Sequence, residues 1–464
     1  MANLTSRALW IFMGDGGAKL FGFLSTIYLA RTLGASQYGL LTLAISALGI
    51  ASWFSDLGLK TLATRSVAGS SSEPGDLARF FWLKILLSAA VLLIAGGITW
   101  FLLSEQPQLR LLILLFLLSL LPQSLRVDWY YKGVQEFHWV TLSNWVQGVI
   151  YLCGLLLIVS TDDLLLVPWI YSLSILLGAL VLLFTYKGKN SFISKPRVVK
   201  WGEDLRNSFF LGAGHFFSQS IILLPPLVIG YFFTELQVGY YGVALKLILA
   251  AMIIDHVLNT LLLPNLTKLW QNNRSEVQPQ LKKVSRWVLL IGVCGMMVLA
   301  YAAEPIIYFL FGDTYLPAVP MLILLSVVLP ITFINSIFSF GLISFGLDRD
   351  FLYSTSAGAL GALILIIGAG FTGDMQILIL SVVLSELWIT ICMYYRFRRI
   401  VNLKIGGFVL GITTVSALLM ALIFLYLTPG IWIAITSPLI LFTVLYIFGL
   451  ITWDDISWMK RRIF

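Results

Sequence analysis

Charged side chains occur inside several long apolar runs of this chain. An ionised side chain costs at least ~2.5 kcal/mol in the centre of a membrane helix, so residues of this kind are functional candidates. Lysine and arginine can bind phosphate or another anion there, and a carboxylate can pair with them or take up a proton or cation. The residues concerned are Asp15, Lys19, Arg31, Lys246, Asp255 and Glu386.

The first apolar run carries three of these charges. Asp15 and Lys19 are four residues apart, so they share one face of a helix, and the glycine-rich segment 14–17 permits close approach of another backbone. The two either neutralise each other so that the run can insert, or line a polar cavity. Arg31 lies near the far end of the run, where it either extends to the membrane interface or contacts an anion.

The later runs carry the other three charges. Lys246 has no acid three or four residues away, which favours a lysine that lines a cavity. On a regular helix Asp255 points to the side opposite Lys246. It either packs against a polar group or takes part in ion coupling. Glu386 has no basic neighbour on its own helix, so it is protonated or paired across helices, as a proton-coupling site would also be.

The elements that hold these residues are membrane helices. The chain has 464 residues, of which 59% are hydrophobic and 11% charged, with a mean hydropathy of +0.94, whereas a soluble domain carries roughly 25% charge. A spanning helix needs about 20 apolar residues, which predicts an all-α integral membrane protein with fourteen spans. They are 8–31, 37–57, 79–103, 109–131, 139–160, 164–186, 208–231, 238–263, 284–304, 317–341, 350–371, 375–395, 405–427 and 431–452.

Lysine and arginine concentrate in alternate connections between these spans, above all in the segment 187–207. Basic connections stay in the cytoplasm, so we expect a multi-pass protein of the cell membrane with both termini and segment 187–207 cytoplasmic. The net charge of +8 then faces anionic lipid headgroups, and no nucleic-acid partner is expected. Trp129, Tyr130 and Tyr131 are interpreted as interfacial anchors.

A weak internal repeat relates the two halves of the chain. Tyr38-Gly39 aligns with Tyr241-Gly242 at an offset of 203 residues, which contains six spans and therefore predicts parallel repeats. The predicted organisation is an N-terminal lobe, 1–186, a cytoplasmic linker, 187–207, a C-terminal lobe, 208–395, and two further spans with a tail, 396–464. Pro225-Pro226 is expected to break span 7, the counterpart of span 1, near its outer half and to kink it.

The residues Ala30–Gly34, Tyr38-Gly39 and Asp56–Leu59 resemble the N-terminal signature of polysaccharide-biosynthesis transporters. These are the Wzx-type flippases of the multidrug/oligosaccharidyl-lipid/polysaccharide exporter superfamily. The resemblance implies transfer of an undecaprenyl-diphosphate-linked oligosaccharide from the cytoplasmic to the outer leaflet by alternating access. It implies a polyprenyl-diphosphate-linked glycan and membrane lipids as partners, and contact with polysaccharide assembly proteins.

On this hypothesis, the cations and the acids of the spans have different roles. Lys19, Arg31 and Lys246 are the predicted substrate-binding residues, and Asp15, Asp255 and Glu386 the predicted ion-coupling residues. We expect no cofactor beyond H⁺ or Na⁺ coupling.

Two alternatives remain. A drug or organic-cation antiporter of the same superfamily would favour a net acidic cavity, but the acids and bases within the spans are nearly balanced. A membrane glycan polymerase or ligase would need a large external loop, and the chain has neither such a loop nor a paired-carboxylate, nucleophile or phosphate-binding glycine motif. The sequence therefore favours a transporter over an enzyme.

Overall fold

The computed structural model of the chain describes residues 4–69, 76–161, 163–187, 198–255, 274–401 and 430–447, with isolated positions and short runs between them. Every regular element within these ranges is helical. The α-helices are α1 Leu4–Asp56, α2 Leu59–Ala68, α3 Asp76–Leu102, α4 Pro107–Leu118, α5 Leu120–Ser124, α6 Asp128–Gly133, α7 Phe137–Ile158, α8 Val167–Phe184, α9 Trp201–Phe232, α10 Glu235–Ala251, α11 Arg274–Tyr301, α12 Ala303–Phe311, α13 Val319–Ser326, α14 Val328–Ser344, α15 Asp348–Gly370, α16 Met375–Val401 and α17 Ile431–Ile447.

Eleven helical segments in the described part of the chain are long and apolar enough to cross a membrane. The first of them, Gly16–Asp56, covers most of the first two predicted spans, and α17 is a further, shorter apolar helix. The prediction of an all-α, multi-pass membrane protein is confirmed. The count of fourteen stays a prediction, because most of predicted span 13, 405–427, lies outside the described residues.

Helix α1 consists of two helices that meet at Gly34. Gly34 has φ 75° and ψ 171°, a conformation that glycine adopts without a steric penalty, and it lies in the turn predicted between spans 1 and 2. By contrast, α9 continues from Trp201 to Phe232 through Pro225 and Pro226, so the predicted interruption is wrong, whereas the kink expected there stays a prediction. Neighbouring groups can satisfy the backbone carbonyls that proline leaves unpaired in a membrane helix.

The chain forms two compact units, Met1–Gly242 and Val243–Phe464. We call them unit 1 and unit 2. Helix α9 begins at Trp201, inside the segment predicted as a linker. The predicted lobe boundaries and the repeat between the lobes stay predictions.

The hydrophobic core of unit 1 contains two residues that were predicted at the membrane interface. Trp129 and Tyr131 are 2% and 1% exposed and pack with Phe80 and Leu182, and the Tyr131 hydroxyl donates a hydrogen bond to the Leu182 carbonyl at 2.8 Å. The interpretation as interfacial anchors is therefore wrong for both. The short helix α6 folds its aromatic side chains inward, which the hydropathy of the connection does not indicate.

In unit 2, α14 packs against α11 and α16, and α15 packs along α16. Phe333 and Phe338 of α14 and Phe397 of α16 are buried at these contacts. The arrangement places polar residues of α14 next to the middle of α16.

Candidate functional site

The break between α5 and α6 brings buried charge into unit 1. Helix α5 ends at Ser124 and α6 begins at Asp128, and the end of a helix leaves carbonyl groups without intrahelical donors. The ammonium group of Lys84, a residue only 4% exposed, donates to the carbonyls of Gln123 and Arg126, both at 3.1 Å. Lys84 therefore caps this break from α3.

The guanidinium group of Arg126 lies in the same break and is directed at α7. It donates to the amide oxygen of Asn144 at 2.7 Å and makes a short hydrogen bond to the amide oxygen of Gln147. Both acceptors are neutral, and all three side chains are half-buried. The amides thus fix the position of the guanidinium without cancelling its charge.

We call Lys60, Lys84, Arg126 and Lys132, with the carboxylates of Asp56 and Asp128, the basic cluster. Asp128 forms an ion pair with Lys132 at 3.2 Å, and it is close enough to Lys60, Arg126 and Lys84 for electrostatic interaction. Asp56 and Lys60 interact in the same way with Lys84. Four cations against two carboxylates leave the cluster with an excess of positive charge.

The positive charge of the basic cluster affects the pKa of Asp128. This residue lies between Pro107–Ser124 and Phe137–Ile158, two helical segments that can cross the membrane. Burial disfavours its charged form, but Lys60, Lys132, Arg126 and Lys84 outweigh this effect, and the pKa of the carboxyl lies well below its ordinary value. Asp128 is therefore ionised at neutral pH.

A further polar contact connects the break to α1. The Ser52 hydroxyl donates to the side-chain oxygen of Gln123 at 3.2 Å, and both residues are half-buried. Half-buried polar groups therefore run from α1 through α5 to the Arg126 contacts on α7.

Sequence reasoning missed Lys84 and Arg126, although both lie inside predicted spans, 79–103 and 109–131. A search for every charge inside an apolar run would have found them. Both lie close to an end of their span, where a charge is less conspicuous than at the centre.

The predicted substrate-binding cations lie apart. Lys19 and Arg31 are both exposed and are separated along α1 by about 18 Å of helix. Lys246 is half-buried in α10 and belongs to unit 2. Asp15, predicted to pair with Lys19, lies in α1, and its side chain is outside the described residues.

The structure brings the other two predicted coupling acids to one helix of unit 2. The Thr332 hydroxyl donates to a carboxylate oxygen of Glu386 at 2.7 Å, and the Ser336 hydroxyl donates to Asp255 at 2.7 Å. Thr332 and Ser336 are four residues apart on α14 and therefore lie on one face of it.

Both acids are 8% exposed. Two buried carboxylates that accept hydrogen bonds from hydroxyls on adjacent turns of α14 can hold a proton or a small cation. In the described part of the chain, no group of three or more histidine, cysteine or acidic side chains could hold a metal ion.

Two close helix crossings in unit 1 depend on glycine. A Cβ atom added to Gly39 would lie 1.9 Å from the carbonyl oxygen of Glu235, and one added to Gly239 would lie 1.9 Å from that of Ala35. Here α1 and α10 touch backbone to backbone.

The second crossing joins Gly58, with φ 81°, to Gly212 of α9, where an added Cβ would lie within 2.7 Å of backbone atoms on either side. Gly39 and Gly58 lie near opposite ends of the second predicted span, 37–57. That span is therefore in close backbone contact with α10 near one end and with α9 near the other.

A family model described as polysaccharide biosynthesis protein matches residues 4–270. This chain belongs to that family. The match covers more than half of the sequence and includes the opening residues on which the resemblance was based, so the predicted family is confirmed.

Similar proteins agree with this assignment. "Putative O-antigen transporter" of Escherichia coli (strain K12) is 22% identical over 344 residues, which are 72% of this chain and 81% of the relative. Lipid II flippase MurJ, in an inward closed conformation, superposes with a TM-score of 0.75 and 16% identity over 94% of this chain and 98% of MurJ.

An inward-facing multidrug resistance transporter of the MATE family in the MOP superfamily superposes with a TM-score of 0.63 and 12% identity, over 83% of this chain and 94% of that transporter. The protein therefore has the fold of MOP-superfamily transporters.

Proposed function

We propose that this family member is a flippase for an undecaprenyl-diphosphate-linked oligosaccharide, a repeat unit of O-antigen, capsule or exopolysaccharide. It moves this lipid from the cytoplasmic to the outer leaflet of the cell membrane by alternating access. Support comes from the family match, the transporter relative and the MurJ-like fold. The observation that carries the proposal is the basic cluster around Arg126.

The diphosphate is the part of the cargo that hydrocarbon excludes most strongly, because an unpaired charge is costly there. Arg126 offers a planar guanidinium that suits two phosphate oxygens, held in place by Asn144 and Gln147. Two other members of the basic cluster, Lys60 and Lys132, lie just after predicted spans 37–57 and 109–131 and belong to connections predicted to be cytoplasmic. The proposed site therefore captures the headgroup near the cytoplasmic surface.

Lys19, Arg31 and Lys246 are proposed as later contacts of the headgroup. Each is a cation inside a predicted span. Lys19 and Arg31 are exposed on α1. Asp255 and Glu386, with Asp15, are proposed to couple transport to H⁺ or Na⁺. The cargo changes sides without a change in its bonds, so no catalytic residue is assigned.

Alternating access requires the glycine crossings to separate in turn. The orientation predicted from the basic connections places the Gly39–Gly239 crossing near the outer surface and the Gly58–Gly212 crossing near the cytoplasm. Contact at both ends of one span corresponds to a closed state. Entry of the headgroup then requires the Gly58–Gly212 crossing to open first.

The test compares Arg126→Gln with Arg110→Gln. Arg110, on α4, stacks on the Trp100 ring at 4.4 Å and is not part of the basic cluster, so it controls for loss of one arginine. Purified proteins in nanodiscs are titrated with a short-chain polyprenyl-diphosphate disaccharide. We expect binding to weaken on the order of tenfold or more in Arg126→Gln, as for the loss of a charge-assisted hydrogen-bond pair, and to stay unchanged in Arg110→Gln.

Unchanged binding by folded Arg126→Gln would remove the basic cluster from the transport site. Binding of a cationic dye by the unsubstituted protein, without binding of the diphosphate lipid, would instead favour the antiporter. Lys246→Ala in the same assay tests the contribution of the predicted cation of unit 2.

A further inference from the structure

Helices α15 and α16 of unit 2 enclose a crevice of about 320 Å³. A volume of this size lies within the range of small-ligand sites. We call it the α15–α16 crevice; it is lined by Tyr353, Ser354, Ala357, Trp388, Ile391, Cys392, Tyr395, Arg396 and Arg399.

One end of the crevice is cationic. Arg396 and Arg399 are one helical turn apart, so they share a face of α16, and both are exposed. The Arg396 guanidinium is 3.4 Å from Asp350 and 5.7 Å from the centre of the Tyr353 ring. Asp350 thus pairs with one of the two arginines of this end.

The other end is apolar and open. Trp388 and Ile391 are 43% and 37% exposed. The Trp388 indole nitrogen donates to the carbonyl of Ala357 at 3.3 Å, and its ring lies against Gly361, where an added Cβ would meet it at 2.2 Å. Gly361 therefore allows the ring to approach α15 closely.

The length of the crevice fits one leaflet of a bilayer. Trp388 and Arg399 are separated by about 16 Å of helix, close to half of the ~30 Å hydrocarbon core. The arginine end also belongs to a connection that the distribution of basic residues predicts to be cytoplasmic. The cytoplasmic leaflet is the one rich in anionic lipids.

We propose that the α15–α16 crevice binds one anionic phospholipid of the cytoplasmic leaflet. The phosphate lies between Arg396 and Arg399, Tyr353 and Tyr395 flank the headgroup region, and an acyl chain lies along Ile391 and Trp388. Guanidinium groups bind phosphate oxygens in pairs, and tyrosine suits the interface. The site is separate from the basic cluster of unit 1 and does not depend on the proposed function.

The first experiment measures lipid binding by native mass spectrometry. The full-length protein is titrated with phosphatidylglycerol or phosphatidylcholine, and the Arg396→Gln/Arg399→Gln variant is compared with Arg274→Gln/Arg398→Gln. The control removes two exposed arginines that do not line the crevice. We expect phosphatidylglycerol affinity to fall on the order of tenfold or more in the crevice variant and to change less than about twofold in the control.

The second experiment locates the lipid through Cys392, which lines the crevice. In a Cys153→Ser/Cys294→Ser background, phosphatidylglycerol should slow labelling of Cys392 by a small maleimide, and the crevice variant should lose this protection. Equal phosphatidylglycerol binding by both double variants, or unprotected Cys392, would overturn the site. Stronger protection by undecaprenyl phosphate than by phosphatidylglycerol would overturn the phospholipid as its occupant and assign the carrier lipid instead.

Discussion

Each unit holds charged side chains through neutral hydrogen-bond partners, two cations in unit 1 and two carboxylates in unit 2. In unit 1, the Lys84 and Arg126 cations are held by neutral carbonyl and amide oxygens. In unit 2, the carboxylates of Asp255 and Glu386 accept hydrogen bonds from the hydroxyls of Ser336 and Thr332. A neutral partner fixes a charged group without cancelling its charge, as Asn144 and Gln147 do for Arg126 and Thr332 does for Glu386. Unit 1 is therefore suited to an anion and unit 2 to a proton or cation.

Unit 1 also shows what a purely structural charge looks like. Arg79 and Asp204 form a direct ion pair at 2.9 Å, with side chains 8% and 10% exposed, and the guanidinium lies over the Phe80 ring. Removing one partner of such a buried pair is destabilising because the other charge is left unpaired. The kind of partner, and not burial alone, therefore separates candidate site residues from structural ones.

The largest effect is expected where a cation satisfies the backbone. Lys84→Met removes a donor from the carbonyls of Gln123 and Arg126. The Gln123 carbonyl keeps the backbone N–H of Arg126 at 3.3 Å, whereas a buried carbonyl left unsatisfied costs roughly 1–3 kcal/mol. We expect a clear fall in thermal stability and in membrane abundance.

The control is Lys132→Met, because the Lys132 side chain is 47% exposed and Asp128 keeps Lys60, Arg126 and Lys84 nearby, so we expect a smaller loss of stability. Normal stability of Lys84→Met would show that this cation is not structural and would place it with Arg126 as a candidate ligand.

A smaller effect, on function alone, is expected in unit 2. Glu386→Gln keeps an oxygen that can accept from Thr332, so abundance should be normal, while the pH dependence of transport in proteoliposomes should flatten. Arg126→Gln should instead lower transport by a similar factor at every pH. A pH profile of Glu386→Gln identical to that of the unsubstituted protein would give Glu386 a structural role and end the functional contrast between the units.

The smallest effect is expected for Ser336→Ala, which removes one donor to Asp255. Only one hydrogen bond is lost and the carboxylate itself stays, so the protein should retain transport at a rate reduced a few-fold. Ser339→Ala on the same helix is the control, because the Ser339 hydroxyl donates to the backbone carbonyl of Asn335. Equal rates for the two variants would show that Asp255 does not need its hydroxyl partner.

Local features of the fold were predictable from sequence, and long-range partners were not. Apolar run length predicted the membrane helices, and the turn at Gly34 and the family signature follow from residues within one short stretch. The contacts of Asp255 and Glu386 with α14 join residues 81 and 54 positions apart, and no periodicity specifies them. The inward packing of Trp129 and Tyr131 likewise depends on neighbours from other helices.

The position of Lys84 in the chain has a consequence for biosynthesis. Its carbonyl partners are synthesised 39 and 42 residues after it, so α3 leaves the ribosome before the groups that solvate its ammonium exist. Charge inside an inserting helix is unfavourable by roughly 2.5–3.5 kcal/mol, which the leucines and isoleucines of α3 must offset on their own. We expect α3 to remain beside the insertion machinery until α5 arrives, so that the first spans enter the bilayer as a group.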